Sequence, residues 1–357
     1  MKILTINPGS TSTKIAVFED NTALFEETIR HDADEIAGFQ RIVDQFEFRK
    51  GFITQALEER DLSLGDLDVV VGRGGLMKPI EGGVYEVNRA MLDDLADKGI
   101  WGREHASNLG AYLARSIGDE AGIPAFITDP VTVDEMCELA RFSGVPEIKR
   151  KSLFHALNVR ACARKAASEL GKPLEKCNFV VIHMGGGISV VAVREGRCID
   201  VNNALLGMGP FSPQRAGALP IGDLIQMCFS GEYTQKELEG KFAKKSGLIA
   251  YTGTDNGSEL EKRAAEGDET ALSALKAMGY QVVKEAGGAA AVLKGEVDAV
   301  VFTGGLVYAR KILMPFLKEH LSFLGKHIEY PGEKEMEALA DAGRRVMAGE
   351  EKSKKYS

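Results

Sequence analysis

Three short segments of this chain combine residue types suited to holding phosphate. The first is Asn7-Pro8-Gly9-Ser10-Thr11-Ser12-Thr13-Lys14. A tight turn there, between strands expected at Lys2 to Ile6 and Lys14 to Phe18, aims backbone N–H groups, hydroxyls and a lysine at one point. The same composition also suits an ordinary hairpin turn, where Ser and Thr are common. The second segment, His183-Met184-Gly185-Gly186-Gly187, follows the apolar run Phe179 to Ile182. Successive glycines let backbone approach a ligand where a side chain would block it. The third, Thr303-Gly304-Gly305, follows the apolar run Ala299 to Phe302 and precedes a helix expected to begin near Leu306, a setting that can bind anions.

Several nucleotide-binding classes are excluded by missing motifs. The chain has no GxxxxGK[ST], no complete GxGxxG and no HRD with DFG. The five cysteines form no CxxC pair, which argues against a zinc site or a disulfide framework.

Elements must carry these loops, and the patterns alternate between strand and helix. Further strands are expected at Leu67 to Val71 and Ile123 to Thr128, with helices at Glu35 to Phe46 and Glu104 to Ile117. That alternation predicts an α/β fold. Two segments also repeat: aligned without gaps, Ile6 falls on Ile182, Gly9 on Gly185, Ala16 on Ala192, Val17 on Val193 and Glu19 on Glu195. A duplicated α/β unit implies two related domains with a ligand cleft between them. Gly144 and Pro146 interrupt a helical pattern near Ser143 to Arg150, where a boundary is expected. A last helix is expected at Lys334 to Met347, followed by a charged tail, Glu350 to Ser357, expected to be disordered.

Bulk properties agree. A length of 357 residues favours two cores, and 44% hydrophobic with 27% charged residues is ordinary for a globular protein. The net charge of −8 advertises no nucleic-acid surface, so an anionic nucleotide must meet individual Lys and Arg residues. The N-terminus does not read as a signal peptide, and no apolar run is long enough to span a membrane. The expectation is a cytoplasmic protein that binds neither membrane nor nucleic acid.

The three loops, in this order on a duplicated frame, resemble the superfamily of acetate and sugar kinases, heat-shock 70 proteins and actin, and within it the acetokinase family. Asn7 to Lys14 is similar to that family's N-x-G-S-[ST]-S-x-K loop. Val71-Gly72-Arg73-Gly74-Gly75-Leu76 with Lys78-Pro79-Ile80-Glu81-Gly82-Gly83, and Asn202-Asn203-Ala204-Leu205 with Gly209-Pro210-Phe211-Ser212-Pro213 and Arg215, resemble further family signatures.

The resemblance implies two actin-like (ribonuclease H-like) domains. An acid-binding domain would span 1–149 plus 332–357, including a returning C-terminal helix, and a nucleotide-binding domain 150–331. It implies reversible, Mg²⁺-dependent, direct in-line transfer from ATP to butyrate, giving butanoyl phosphate and ADP. Acetate, propionate or branched acids are the alternative acceptors, and a non-catalytic nucleotide switch is the alternative class. Carried over, the catalytic residues would be Asp129, Arg215 and His155, with Arg73 and His105 binding the acid. Ser10, Ser12, Lys14, His183, Gly185, Gly186, Gly187, Gly304 and Gly305 would hold ATP. Asn7 and Glu335 would lie at Mg²⁺, with Glu333 as the alternative to Glu335. Gly186 departs from the pattern, since acetate kinases have asparagine there. A homo-oligomer is implied by the family alone. His31, His320 and His327 match nothing and are expected at the surface or at helix caps.

Overall fold

The computed structural model describes residues 1–97, 101–102 and 104–357, which include every candidate site residue. The chain forms two compact units, Met1–Val133 with Lys334–Ser357, and Asp134–Glu333. The first unit carries β1 (Lys2–Pro8), β2 (Ser12–Glu19), β3 (Thr22–Arg30), α1 (Ala33–Ala37), α2 (Phe46–Glu58), β4 (Val69–Arg73), β5 (Val84–Glu86), α3 (Arg89–Ala96), α4 (Leu109–Ala121) and β6 (Ala125–Thr128). The second carries α5 (Ala156–Glu169), β7 (Asn178–Met184), β8 (Ile188–Arg194), β9 (Arg197–Val201), α6 (Ile221–Phe229), α7 (Gln235–Lys244), α8 (Leu248–Thr252), α9 (Gly257–Ala265), α10 (Glu269–Val292), β10 (Ala299–Gly304), α11 (Leu313–His320) and β11 (His327–Pro331). The chain then returns to the first unit with α12 (Glu335–Met347) and β12 (Lys354–Lys355).

The duplication is visible in the topology. The first sheet runs β12-β5-β6-β4-β1-β2-β3 and the second β11-β10-β7-β8-β9. In each, an antiparallel three-strand meander continues into two parallel strands through its first strand. The gapless alignment fails after the turn, however. Lys2 pairs with Glu19 and Asn178 with Arg194, while Pro8 pairs with Thr13 and Met184 with Ile188. The second turn is one residue shorter, so Ala16 is equivalent to Val191 rather than Ala192. A slip of one residue reverses every side chain in a strand, so the matches beyond the turn were coincidental.

Val69, Val70 and Val71 are fully buried on both faces of β4 because helices cover both sides of the sheet. Gly72 packs on α4, where a Cβ would come within 2.1 Å of the Gly110 carbonyl oxygen. Val71, pointing the opposite way, meets α12 at Gly343, whose added Cβ would lie 2.8 Å from Val71 Cγ2. Backbone-close packing on both faces fixes the end of β4, and Arg73 is its last residue. Each unit has its own apolar core: β1, β4, α2 and α4 supply much of the first, and β7, β8, β10 and α10 much of the second.

Some expectations need correction. The segment Glu35 to Phe46 is not one helix: α1 ends at Ala37, a 3₁₀ turn spans Ile42–Gln45, and the long helix is α2. The helix expected from Glu104 begins at Leu109, after a 3₁₀ turn at Ala106–Asn108. Near Leu306 there is only the 3₁₀ turn Gly305–Tyr308 before α11. The chain leaves the first unit at Val133, earlier than Ser143 to Arg150, because 134–150 packs with the second. Cys137 N–H donates to Ile199 O, Glu135 accepts from Cys198 N–H, and Arg150 donates to Asp200.

The tail is ordered. Lys354–Lys355 adds a parallel strand to β5, and Tyr356 is buried. An aromatic anchor outweighs the tail's charge.

Candidate active site

In the first unit, β1, β4 and α12 bring three candidates together. Asn7 Nδ2 donates to Glu335 Oε2 at 2.6 Å, and Arg73 Nη1 donates to Asn7 Oδ1 at 3.1 Å and to Glu335 Oε2 at 3.0 Å. Glu335 is the first residue of α12, where a carboxylate also meets the positive end of the helix dipole. Glu333 is elsewhere, in the second unit against His183. Among the described residues only Nη1 of Arg73 is engaged, which leaves the Nη2 and Nε edge for a carboxylate. Asn7 Oδ1 and the Glu335 carboxylate are hard oxygen donors. No group of three or more His, Cys, Asp and Glu among the described residues could cage a metal alone. This set suits Mg²⁺, which commonly takes one or two protein oxygens and completes its octahedron with water and phosphate.

Lys14 stands opposite Asn7 in the β1–β2 ladder and pairs with Glu26 at 2.7 Å near the surface. Ser10 is exposed and Ser12 half-buried in the intervening turn. Asp129 does not cap a helix. Its Oδ1 accepts the Gly83 N–H at 2.8 Å, its own N–H donates to Gly83 O, and its φ is +38°. A buried aspartate held left-handed is local strain of the kind that gathers at functional sites. His105 Nδ1 takes the Ser107 side chain at 2.8 Å and the Ser107 N–H at 3.2 Å, so it caps the turn that leads into α4.

In the second unit, the loop after β7, the start of α5 and the end of β10 converge. The rings of His155 and His183 stack with centroids 4.1 Å apart. His155 Nδ1 meets Ser189 Oγ at 2.8 Å. His183 is buried, with Nδ1 3.1 Å from Asn158 Oδ1 and Nε2 3.5 Å from Glu333 Oε1. Asn158 Oδ1 also accepts the Thr303 hydroxyl at 2.9 Å, so it is a shared acceptor that calls for an N–H at His183 Nδ1.

Arg215 donates from Nη1 to Ala204 O, and its backbone N–H donates to Ser212 Oγ. A Cβ at Gly187 would lie 2.2 Å from Arg215 Nη1, so any side chain there would push this guanidinium aside. Gly304, with φ +95°, passes so close to Met184 O that an added Cβ would lie 2.4 Å away. Gly185, Gly186 and Gly305 line a cavity of about 690 Å³ together with Gln214, Asp255 and Glu333.

A model of the acetokinase family matches residues 146–356. The chain is 52% identical over 355 residues to butyrate kinase 2 of Clostridium acetobutylicum, covering 99% of both chains. The chain belongs to the acetokinase family. Its fold is that of the acetate kinase of Porphyromonas gingivalis (TM-score 0.78, 19% identity, 97% of this chain and 99% of that one). It is also that of a propionate kinase from Francisella tularensis (TM-score 0.75, 20% identity, 96% and 98%).

For this acetokinase, several residues at the site had escaped the sequence reading. Asn158, on the first turn of α5, lies three positions after His155, the N-cap residue of that helix, a spacing that could have flagged it. Ser189 and Ser212 gave no such signal. At Gly186, the departure from acetate kinases, an added Cβ would meet only Gln214, at 3.7 Å. Gln214 Nε2 in turn donates to Asp255 Oδ2 at 2.6 Å. His31 is a correction: it is buried, not at the surface, and its Nε2 lies 2.8 Å from Thr13 Oγ1 beneath the first loop. Burial and the neighbouring Arg49 lower its pKa to about 4.

Proposed function

We propose that this acetokinase is a butyrate kinase, transferring the γ-phosphoryl group of ATP to butyrate to form butanoyl phosphate and ADP, reversibly and by direct in-line displacement. The observation that carries this reading is the 52% identity over the full chain to butyrate kinase 2 of Clostridium acetobutylicum. The Asn7–Arg73–Glu335 cluster supports it independently, because it offers a planar cation beside hard oxygen donors.

A carboxylate is ionised at neutral pH and needs no general base. The chemical task is to align an anion with a polyanion and to offset the charge. Arg73 orients the acid through a bidentate grip that lysine could not reproduce. The Asn7–Lys14 loop and the loops at Gly185–Gly187 and Gly304–Gly305 hold the phosphates and the nucleotide. Arg215 and His155 neutralise the equatorial oxygens of the phosphoryl group in flight. Asn7 and Glu335 would hold Mg²⁺ and Asp129 would help to position it; when bound, the ion would offset charge on the phosphates. His105 borders the acid. The acid-binding role belongs to the first unit and the nucleotide-binding role to the second. A cytoplasmic homo-oligomer is inferred on the family resemblance; no described helix is long and apolar enough to cross a membrane.

Acetate, propionate and branched acids are the competing acceptors. Two methylenes are worth about 1.6 kcal/mol at roughly 0.8 per buried CH₂, or about fifteenfold. The test is acyl-hydroxamate formation from MgATP and hydroxylamine with straight and branched C2 to C6 acids. The expected result is highest kcat/KM with butyrate and background activity in EDTA. Turnover that favours acetate, or that survives EDTA, rejects the reading.

A further inference from the structure

Beneath the first loop of the first unit lies a fully buried charge. Arg49, on α2, is 0% exposed. Nη1 donates to Gly9 O at 2.8 Å, Ser12 O at 2.9 Å and Thr13 Oγ1 at 3.1 Å, and Nη2 donates to Ser10 O at 3.0 Å. Gln45 Oε1 accepts from Nε at 3.1 Å and from Nη2 at 2.8 Å. Every one of these acceptors is neutral. Burial lowers the pKa of Arg49 to about 10, so it remains a cation at neutral pH.

We infer that Arg49 is a positioning residue that shapes the Asn7–Lys14 loop into a phosphate cradle, acting through the loop's backbone. The inference rests on the reading of that loop as the phosphate site. The peptide bonds of the described residues are all trans, and in a planar trans peptide the carbonyl and the following N–H point in opposite directions. Drawing the carbonyls of Gly9 and Ser10 onto Arg49 turns the N–H groups of Ser10 and Thr11 to the opposite side of the loop. Among the described residues neither N–H has an acceptor. Two adjacent backbone donors facing outward form an anion-binding concavity. Behind them sits a cation whose bonded partners carry no negative charge, and a buried charge of that kind calls for an opposite one. A polyphosphate in the cradle supplies it.

Thr13 completes the support. Its hydroxyl accepts from Arg49 Nη1 and lies 2.8 Å from His31 Nε2. The ring of His31 is packed against Phe48 and Phe52 on α2. The loop is thereby tied from behind to α2 and to the end of β3.

The experiment compares Arg49→Lys, Arg49→Ala, Gln45→Ala and Lys14→Ala in steady-state assays with MgATP and butyrate varied separately. Binding of MgATP and of inorganic tripolyphosphate is measured on each protein by calorimetry. Lysine keeps the charge but cannot fork across four loop oxygens, so Arg49→Lys should raise KM for MgATP about tenfold or more and leave that for butyrate within about twofold. Guanidinium ion should restore part of the lost MgATP and tripolyphosphate affinity of Arg49→Ala and none of that of Lys14→Ala. A merely structural role predicts something else: less folded protein, lower apparent kcat and an unchanged KM for MgATP. That pattern in Arg49→Lys, beside a raised KM in Lys14→Ala, overturns the inference and leaves the loop's reading intact. Unchanged MgATP and tripolyphosphate affinity in Lys14→Ala overturns the loop's reading itself, and the inference with it. Should Arg49→Ala fail to fold, Gln45→Ala decides, because it removes the oxygen that orients the guanidinium. A rise of about threefold in KM for MgATP is expected, and no change counts against the inference.

Discussion

Arg215 lies against the α-carbon of Gly187, half-buried, with one guanidinium nitrogen on Ala204 O. Its proposed partner is charge on the phosphoryl group in transit, with less interaction in the ground state. Arg215→Ala should therefore lower kcat by about 10³ while both KM values stay within about threefold. Arg215→Lys should recover only part of the loss, since an ammonium cannot span two oxygens. Steady-state kinetics with circular dichroism on the same samples checks this, and a folded Arg215→Ala within about tenfold of the wild-type kcat rejects it. The loops proposed to hold the nucleotide were legible because glycine, serine and lysine clusters betray themselves. The residues behind them were not. Arg49 reads in sequence as one more basic residue in Glu47-Phe48-Arg49-Lys50, and nothing local reveals that its partners lie near residues 9–13.

Elements were legible where their pattern matched a single environment. β1, β4, β7 and β10 read as apolar runs because both of their faces are covered. Glu35 to Phe46 misled because apolar spacing continued across two short turns before the real helix began. The tail misled because composition hid one anchor. Tyr356 donates its hydroxyl to Asp94 Oδ2 at 2.7 Å and accepts the Lys78 N–H at 3.1 Å, and its carbonyl accepts from Asn88 Nδ2 at 2.7 Å. Burial and Asp94 raise the hydroxyl's pKa well above the ordinary tyrosine range, so it stays a donor. Tyr356→Ala should cost about 3 kcal/mol, as a buried aromatic truncation does, and Tyr356→Phe about 1 kcal/mol for the lost hydrogen bond. Urea unfolding followed by near-ultraviolet circular dichroism measures both. An unchanged midpoint for Tyr356→Ala would mean that the tail does not dock.

For the whole molecule, the duplicated topology was readable from two glycine-turn hairpins, yet the residue-by-residue repeat was not, because one turn is a residue shorter. Acid stability is a property of the whole chain that no repeat or motif announces, and His31 makes it predictable. The pKa of His31 is lowered from 6.5 to about 4 in the folded protein. Between these values the unfolded chain binds a proton that the folded chain refuses. His31 therefore leaves stability intact above about pH 6.5 and erodes it as the pH falls toward 4, by at most about 1.4 kcal/mol per pH unit. Protonation would also set an imidazolium beside Arg49. His31→Gln removes this titration. It should be less stable than the wild type at pH 7.5, where it loses ring packing on Phe48 and Phe52, and the gap should narrow or reverse by pH 5. Urea midpoints across that range decide the matter: parallel curves for the two proteins would mean that His31 is protonated as readily in the folded chain as in the unfolded one.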